Sequence, residues 1–123
     1  MTNVLIIDDD ELIGNMLREE LTEEGFSALY AASADEGLDI LLSKKIDILL
    51  LDLKMPGKDG FFVLKEISDL KVNVKVIVIT AYSDARSAVE AARLGASDFF
   101  LKPFDFGELL SAIRKLSIDK HIE

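Results

Sequence analysis

The sequence contains no cysteine. Disulfides, thiolate metal sites and cysteine nucleophiles are therefore excluded. Positive charge is also scarce: 14 Lys and Arg stand against 23 Asp and Glu, giving a formal net charge of −9 and a pI near 4.6. A phosphate backbone needs a basic face, so no direct nucleic-acid partner is expected, and any DNA contact would have to come from another chain. No apolar run approaches the length of a bilayer span, and Met1-Thr2-Asn3 leads into a strand pattern rather than a cleavable signal. No membrane partner is expected, and the cytoplasm is the expected location. The one histidine, His121, stands in the C-terminal tail with no carboxylate partner in view, which argues against a base or a ligand. Linker composition and internal repeats are absent too, and 123 residues suit one core but not two, so 1–123 reads as a single domain.

What is present is a globular balance, 50% hydrophobic and 30% charged, arranged as five alternating strand and helix patterns. The stretch around which the rest is organised runs Ile48-Leu49-Leu50-Leu51-Asp52-Leu53-Lys54-Met55-Pro56-Gly57-Lys58-Asp59-Gly60. Its apolar run, bounded by turn residues, reads as a strand buried on both faces with Asp52 at the carboxyl end. Similar runs predict strands over 4–7, 26–31, 47–51, 74–79 and 98–101. Helical spacing follows each: Leu12, Ile13, Met16, Leu17 and Leu21 before Gly25, then Leu38, Leu41 and Leu42 behind a Ser33 cap. Residues 61–70 place Leu64, Ile67 and Leu70 inward, Asp84 caps a small-residue helix closed by Gly95, and Asp105 opens the last helix. Such alternation predicts an α/β fold: a (βα)5, doubly wound, parallel five-stranded sheet in a flavodoxin-like three-layer sandwich.

In an open parallel sheet the carboxyl rim of the strands is where ligands bind. Four strand ends carry polar groups there: Asp8-Asp9, Asp52, Thr80 and Lys102. With the first and third strands as neighbours, Asp8, Asp9 and Asp52 converge, and each like-charge pair about 4 Å apart costs roughly 4 kcal/mol at an effective dielectric of about 20. A hard divalent cation such as Mg2+, held by carboxylates, a backbone carbonyl and water, relieves that repulsion. Lys102 adds a second positive charge and Thr80 a hydroxyl donor, an arrangement that suits an aspartyl phosphate on Asp52. Taken singly each feature has a plainer reading: the Asp8-Asp9-Asp10 cluster as helix-start charge, Thr80 as a strand residue or cap, Lys102 as surface. Asp59 reads as a turn stabiliser.

The motifs Val4-Leu5-Ile6-Ile7-Asp8-Asp9, Leu51-Asp52-Leu53-Lys54-Met55-Pro56-Gly57, Ile79-Thr80-Ala81-Tyr82, Leu94-Gly95-Ala96 and Lys102-Pro103-Phe104, in this order and spacing, resemble the receiver domain of two-component response regulators. The resemblance implies that Asp52 accepts a phosphoryl group from a phosphohistidine of a sensor histidine kinase or phosphotransfer protein. It implies Mg2+ held by Asp9, Asp52 and the Lys54 carbonyl, with Asp8 acting largely through water. Phosphoryl oxygens would go to Thr80, the Ala81 amide and Lys102, and the Lys102-Pro103 bond would be cis. Thr80 would be coupled to an aromatic switch residue, Phe99 by its spacing from Lys102, where many relatives carry tyrosine. Burying a phenylalanine contributes about 1.5–3 kcal/mol, less than the roughly 5.5 kcal/mol that takes a 1:99 equilibrium to 99:1, so phosphate contacts must also drive the switch. The family further implies a switch that catalyses its own phosphorylation and dephosphorylation, acts on a downstream protein target, and admits a homodimer through the fourth helix, fifth strand and fifth helix. Lys54 and Tyr82 flank the site, placed either to hinder an attacking water or to stand solvated.

Within the family two forms fit: a single-domain relay like that of the sporulation phosphorelay, and the N-terminal receiver of a longer transcriptional regulator. From other classes, an aspartate-nucleophile phosphatase also uses Mg2+. Asp8-x-Asp10 matches its opening motif only superficially, because Glu11-Leu12 replaces the expected Gly-Thr. A flavin binder of the same architecture needs a phosphate-cradling loop after the first strand, where this chain has three aspartates.

Overall fold

The structure, a computed structural model, describes residues 1–82 and 84–122, with side chains through residue 117, so His121 falls outside the described side chains. The apolar runs form β1 (Asn3–Ile7), β2 (Ser27–Ala31), β3 (Ile48–Leu51), β4 (Lys75–Thr80) and β5 (Asp98–Leu101). Between and after them lie α1 (Glu11–Glu23), α2 (Ala34–Ser43), α3 (Gly60–Asp69), α4 (Ala85–Arg93) and α5 (Phe106–Ile122). All strand pairs are parallel and the order is β2-β1-β3-β4-β5. This is the expected (βα)5 doubly wound sheet with flavodoxin-like strand order.

Between their polar end residues the three central strands are apolar because both of their faces are covered. Side chains alternate across a strand, so Leu5, Ile7, Leu49, Leu51, Val76 and Val78 join one cluster with α2, α3 and Ala91 of α4. Val4, Ile6, Ile48, Leu50, Ile77 and Ile79 join the other, with Leu17 and Leu21 of α1 and Leu109 and Ile113 of α5. All twelve strand residues are buried, each contributing about 1.5–3 kcal/mol relative to exposure. Of the edge strands, β2 is half-buried for most of its length, and β5 is half-buried at Phe99 and Phe100 and exposed at both ends, as their outer flanks require.

Asp10, Ser33, Asp59 and Asp84 cap the first four helices, each accepting one or more backbone amides. Gly25 and Gly95, at φ of 95° and 103°, turn the chain just beyond α1 and α4. The structure differs from the periodic reading at several points. Thr80 is the last residue of β4 rather than its successor, and β2 begins one residue after Phe26. Leu12 and Met16 point outward, 81% and 41% exposed, because α1 meets the sheet along the narrow line of Gly14, Leu17 and Leu21. Leu70 is the C-cap of α3 and half exposed, past the point where the helix leaves the sheet. Among the described residues no helix is long and apolar enough to cross a membrane.

Candidate functional site

Parallel pairing brings the acidic residues together at the rim of the sheet. The last β1–β3 partners are Ile7 and Leu51, and the ladder runs one residue further, where the Asp52 amide donates to the Ile7 carbonyl at 3.0 Å. On the other flank the Asp8 amide donates to the Ala31 carbonyl at 3.2 Å. Asp8 and Asp52 are therefore neighbours, and both are buried, at 3% and 5% exposure. Asp9 is exposed at the turn, and carboxylate oxygens of Asp8, Asp9 and Asp52 all lie within 4.8 Å of one another. From the far side, the Lys102 amide donates to the Thr80 carbonyl at 2.9 Å and the Lys102-Pro103 bond is cis. The Lys102 ammonium reaches both buried acids, with Nζ 2.7 Å from Asp8 Oδ2 and 3.2 Å from Asp52 Oδ2.

One ammonium thus faces three carboxylates. Burial favours the neutral form of Asp8 and holds its pKa above the usual carboxylate value, although the Lys102 hydrogen bond pulls the other way. Burial also opposes the charge on Lys102, but its hydrogen bond to Asp8 and the two carboxylate charges outweigh that and raise its pKa. A raised folded-state pKa on Asp8 means stability that is complete below the unfolded value and is lost as pH rises through the folded one. Metal-free Asp8→Asn should accordingly be more stable than wild type at pH 7 to 8, by about 0.5–2 kcal/mol. Chemical denaturation should show that gap closing as pH falls through the raised pKa of Asp8 toward its ordinary value near 3.8.

The oxygens already in use sort the acids. Asp8 Oδ1 accepts from the Asp10 amide at 2.9 Å and Oδ2 meets Lys102, so both Asp8 oxygens are engaged. Asp52 Oδ1 accepts from the Lys54 amide at 3.1 Å. The donors at hand are hard oxygens crowded beyond what one ammonium neutralises, and this set fits a divalent cation. Thr80 is fully buried, with Oγ1 accepting from the Tyr82 amide at 3.3 Å, and Ala81 is exposed beside it. Lys54 Nζ stands 5.9 Å from the centre of the Tyr82 ring, a cation–π pair close to the site. Phe99 is half-buried and borders a cleft of about 210 Å³ lined by Ala88, Ala91, Ala92 and Ala96.

Three features were not legible beforehand. Gly60 returns against the Asp52 peptide: its amide donates to Leu53, and a Cβ there would collide with the Asp52 carbonyl oxygen and come within 2.6 Å of Leu53 Cα. Tyr30, on β2, donates its hydroxyl to the Asp8 carbonyl at 2.6 Å, and burial together with the nearby acids pushes its pKa up to about 12. A groove of about 500 Å³ lies between α1 and the residues after β5, lined by Ile13, Met16, Glu20, Pro103, Phe104 and Phe106 and reaching Lys102. Glu20 Oε2 is buried there without a hydrogen-bond partner among the described residues. The outward Met16 was the signal for it, hidden within a helical period that also fits a core.

Comparison with known proteins agrees with the rim geometry. Residues 4–114 match the family model described as response regulator receiver domain. The chain is 38% identical over 112 residues to sporulation initiation phosphotransferase F of Bacillus subtilis, covering 91% of this chain and 90% of that protein. It is 42% identical over 108 residues to the DNA-binding transcriptional regulator NtrC of Klebsiella pneumoniae, covering 88% of this chain but only 23% of that one. Among solved structures, the response regulator TrrA of Thermotoga maritima in complex with Mg2+ and BeF superimposes with a TM-score of 0.84 at 37% identity, covering 94% of this chain and 99% of that one. With five parallel strands carrying an aspartate cluster and an opposed lysine at one rim, and with the match running over most of its length, the chain belongs to the response regulator receiver domains.

Proposed function

We propose that Asp52 is the phosphoacceptor of this receiver, taking a phosphoryl group from a phosphohistidine on a sensor kinase or phosphotransfer protein. The observation that carries the reading is the Lys102 ammonium held between Asp8 and Asp52 at 2.7 and 3.2 Å, beside a third carboxylate. Asp8, Asp9, Asp52 and the Lys54 carbonyl are the residues to hold Mg2+, which when bound neutralises charge on phosphoryl oxygens. An Asp52 carboxylate oxygen attacks phosphorus in line. The new P–O bond forms as the P–N bond breaks, and the imidazole leaves with its electron pair. Lys102 lies where it can pair with the transferred group, with Thr80 and the Ala81 amide as its further donors. The test is transfer of labelled phosphate from candidate histidine kinases to the purified chain in Mg2+, with Asp52→Asn as the control. Wild type takes up label and the variant takes up none.

Thr80 and Phe99 form the switch in this proposal. The alanine-lined cleft beside Phe99 supports it by leaving room for the ring to change its packing. Val89 and Leu101, 57% and 46% exposed, supply apolar contact on the α4–β5–α5 side for a downstream protein or a second copy of the chain. The protein phosphodonor meets the other side, over α1 and the groove that ends at Lys102. Met16→Glu puts a charge on that surface at a site 41% exposed, so the fold tolerates it. Transfer from a protein phosphodonor should slow about tenfold, or about 1.4 kcal/mol, while uptake from acetyl phosphate is unchanged. Equal slowing with both donors would place the effect in the site rather than in docking.

A further inference from the structure

We propose that Tyr30 is a positioning residue for the acidic turn, setting the Asp8–Asp9 peptide and with it the spacing of the two carboxylates the peptide joins. Tyr30 pairs with Ile6, one position before the last β1–β2 partners, and its side chain packs on the α1 side of the sheet. Gly14 of α1 leaves the space it occupies: a Cβ at Gly14 would overlap the ring, coming within 2.6 Å of Cδ1 and Cζ. Held there, the hydroxyl extends past the strand end and donates to the Asp8 carbonyl at 2.6 Å. Every other polar atom of Asp8 is also fixed. The amide is on Ala31, Oδ1 accepts from Asp10, and Oδ2 accepts from Lys102.

The carbonyl matters because it shares a rigid plane with the Asp9 amide. Rotating that plane moves the Asp9 backbone, and Asp9 is the one exposed member of the carboxylate trio. Among the described residues Tyr30 is the only side chain donating to a backbone carbonyl of residues 8–10. Groups that orient the ligands of a metal are worth about 10- to 100-fold in its affinity, and Tyr30 belongs at the lower end of that range because it acts through the peptide rather than on a carboxylate. The inference rests on the proposed reading of Asp8, Asp9 and Asp52 as the Mg2+ site.

Tyr30→Phe keeps the ring against Gly14 and removes only the hydroxyl. Mg2+ titrations followed by backbone amide shifts should give a Kd about tenfold weaker than wild type, with the largest metal-free shift changes at Asp8, Asp9 and Asp10. Phosphorylation by acetyl phosphate should return to the wild-type rate once Mg2+ is raised about tenfold. A purely structural role would lower the thermal midpoint and leave the Kd alone, so a Kd within twofold of wild type overturns the proposal whatever the midpoint does. A wild-type chain that fails to bind Mg2+ would instead overturn the metal reading itself, which separates the two failures.

Discussion

Asp52→Asn should reduce phosphoryl incorporation from nearly one group per chain to none while leaving the fold intact. The side chain is 5% exposed and sits just past the end of β3, where two of its neighbours are otherwise occupied. Asp8 is hydrogen-bonded through both oxygens, and Thr80 is a neutral hydroxyl occupied with the Tyr82 amide. Asparagine keeps the oxygen that accepts the Lys54 amide at 3.1 Å, so the loop that follows keeps its anchor. It removes one of the two buried carboxylates that share Lys102, and Asp8 remains to pair with the ammonium at 2.7 Å. The expected signature is therefore a loss of chemistry without loss of stability. Labelled transfer and thermal denaturation on the same preparation read the two quantities side by side. A variant that still labelled would remove Asp52 from its role, and one that unfolded would show that the carboxylate is structural.

Gly60→Ala should have the opposite signature. A Cβ at Gly60 meets backbone, the Asp52 carbonyl oxygen and Leu53 Cα, and backbone cannot swing aside as a long side chain can. Relieving that overlap means moving the first turn of α3 or the peptide after Asp52. Both are pinned: the Gly60 amide donates to the Leu53 carbonyl at 3.1 Å and Asp59 caps the helix through the Phe62 amide at 3.0 Å. Overpacking of this kind costs about 3 kcal/mol, which for a domain of this size lowers the midpoint by about 10 °C. Because the shift is transmitted to Asp52, Mg2+ affinity should fall as well. Gly57→Ala is the comparison: at φ of 73° it carries only the left-handed penalty, about 1–2 kcal/mol, and no neighbour lies within 4 Å of the added carbon.

These two residues also show what the sequence could reveal. Asp52, Asp8 and Lys102 were legible because each follows an apolar run, and a buried parallel strand can deliver a polar residue only to its end. Right-handed connections then put the early strand ends side by side, and the structure supplies the order. Gly60 read only as part of a turn, since the close approach of α3 to the Asp52 peptide is a property of packing and not of any local pattern. Tyr30 was hidden for a related reason. It lies on a half-buried edge strand, where an aromatic residue is unremarkable, and its partner is a carbonyl that has no letter in the sequence. The helical stripes were legible as helices but not as faces. Leu12, Met16 and Leu70 fit the same period as Leu17, Leu21 and Ile67, and only the narrow seam between helix and sheet separates exposed members from buried ones. The groove beside Lys102 has no pattern of its own, because its wall residue Met16 shares the helical period of the buried Leu17 and Leu21.

Whether the rim carboxylates and Lys102 direct a phosphoryl group to one side chain is decided by locating that group. The chain is phosphorylated in Mg2+, the acyl phosphate is reduced with borohydride, and the peptides are sequenced by mass spectrometry. Homoserine in place of Asp52, and nowhere else, is the expected product. Reduction product at Asp8 or Asp9, or phosphate carried on a hydroxyl or on His121 with Asp52 untouched, would contradict it.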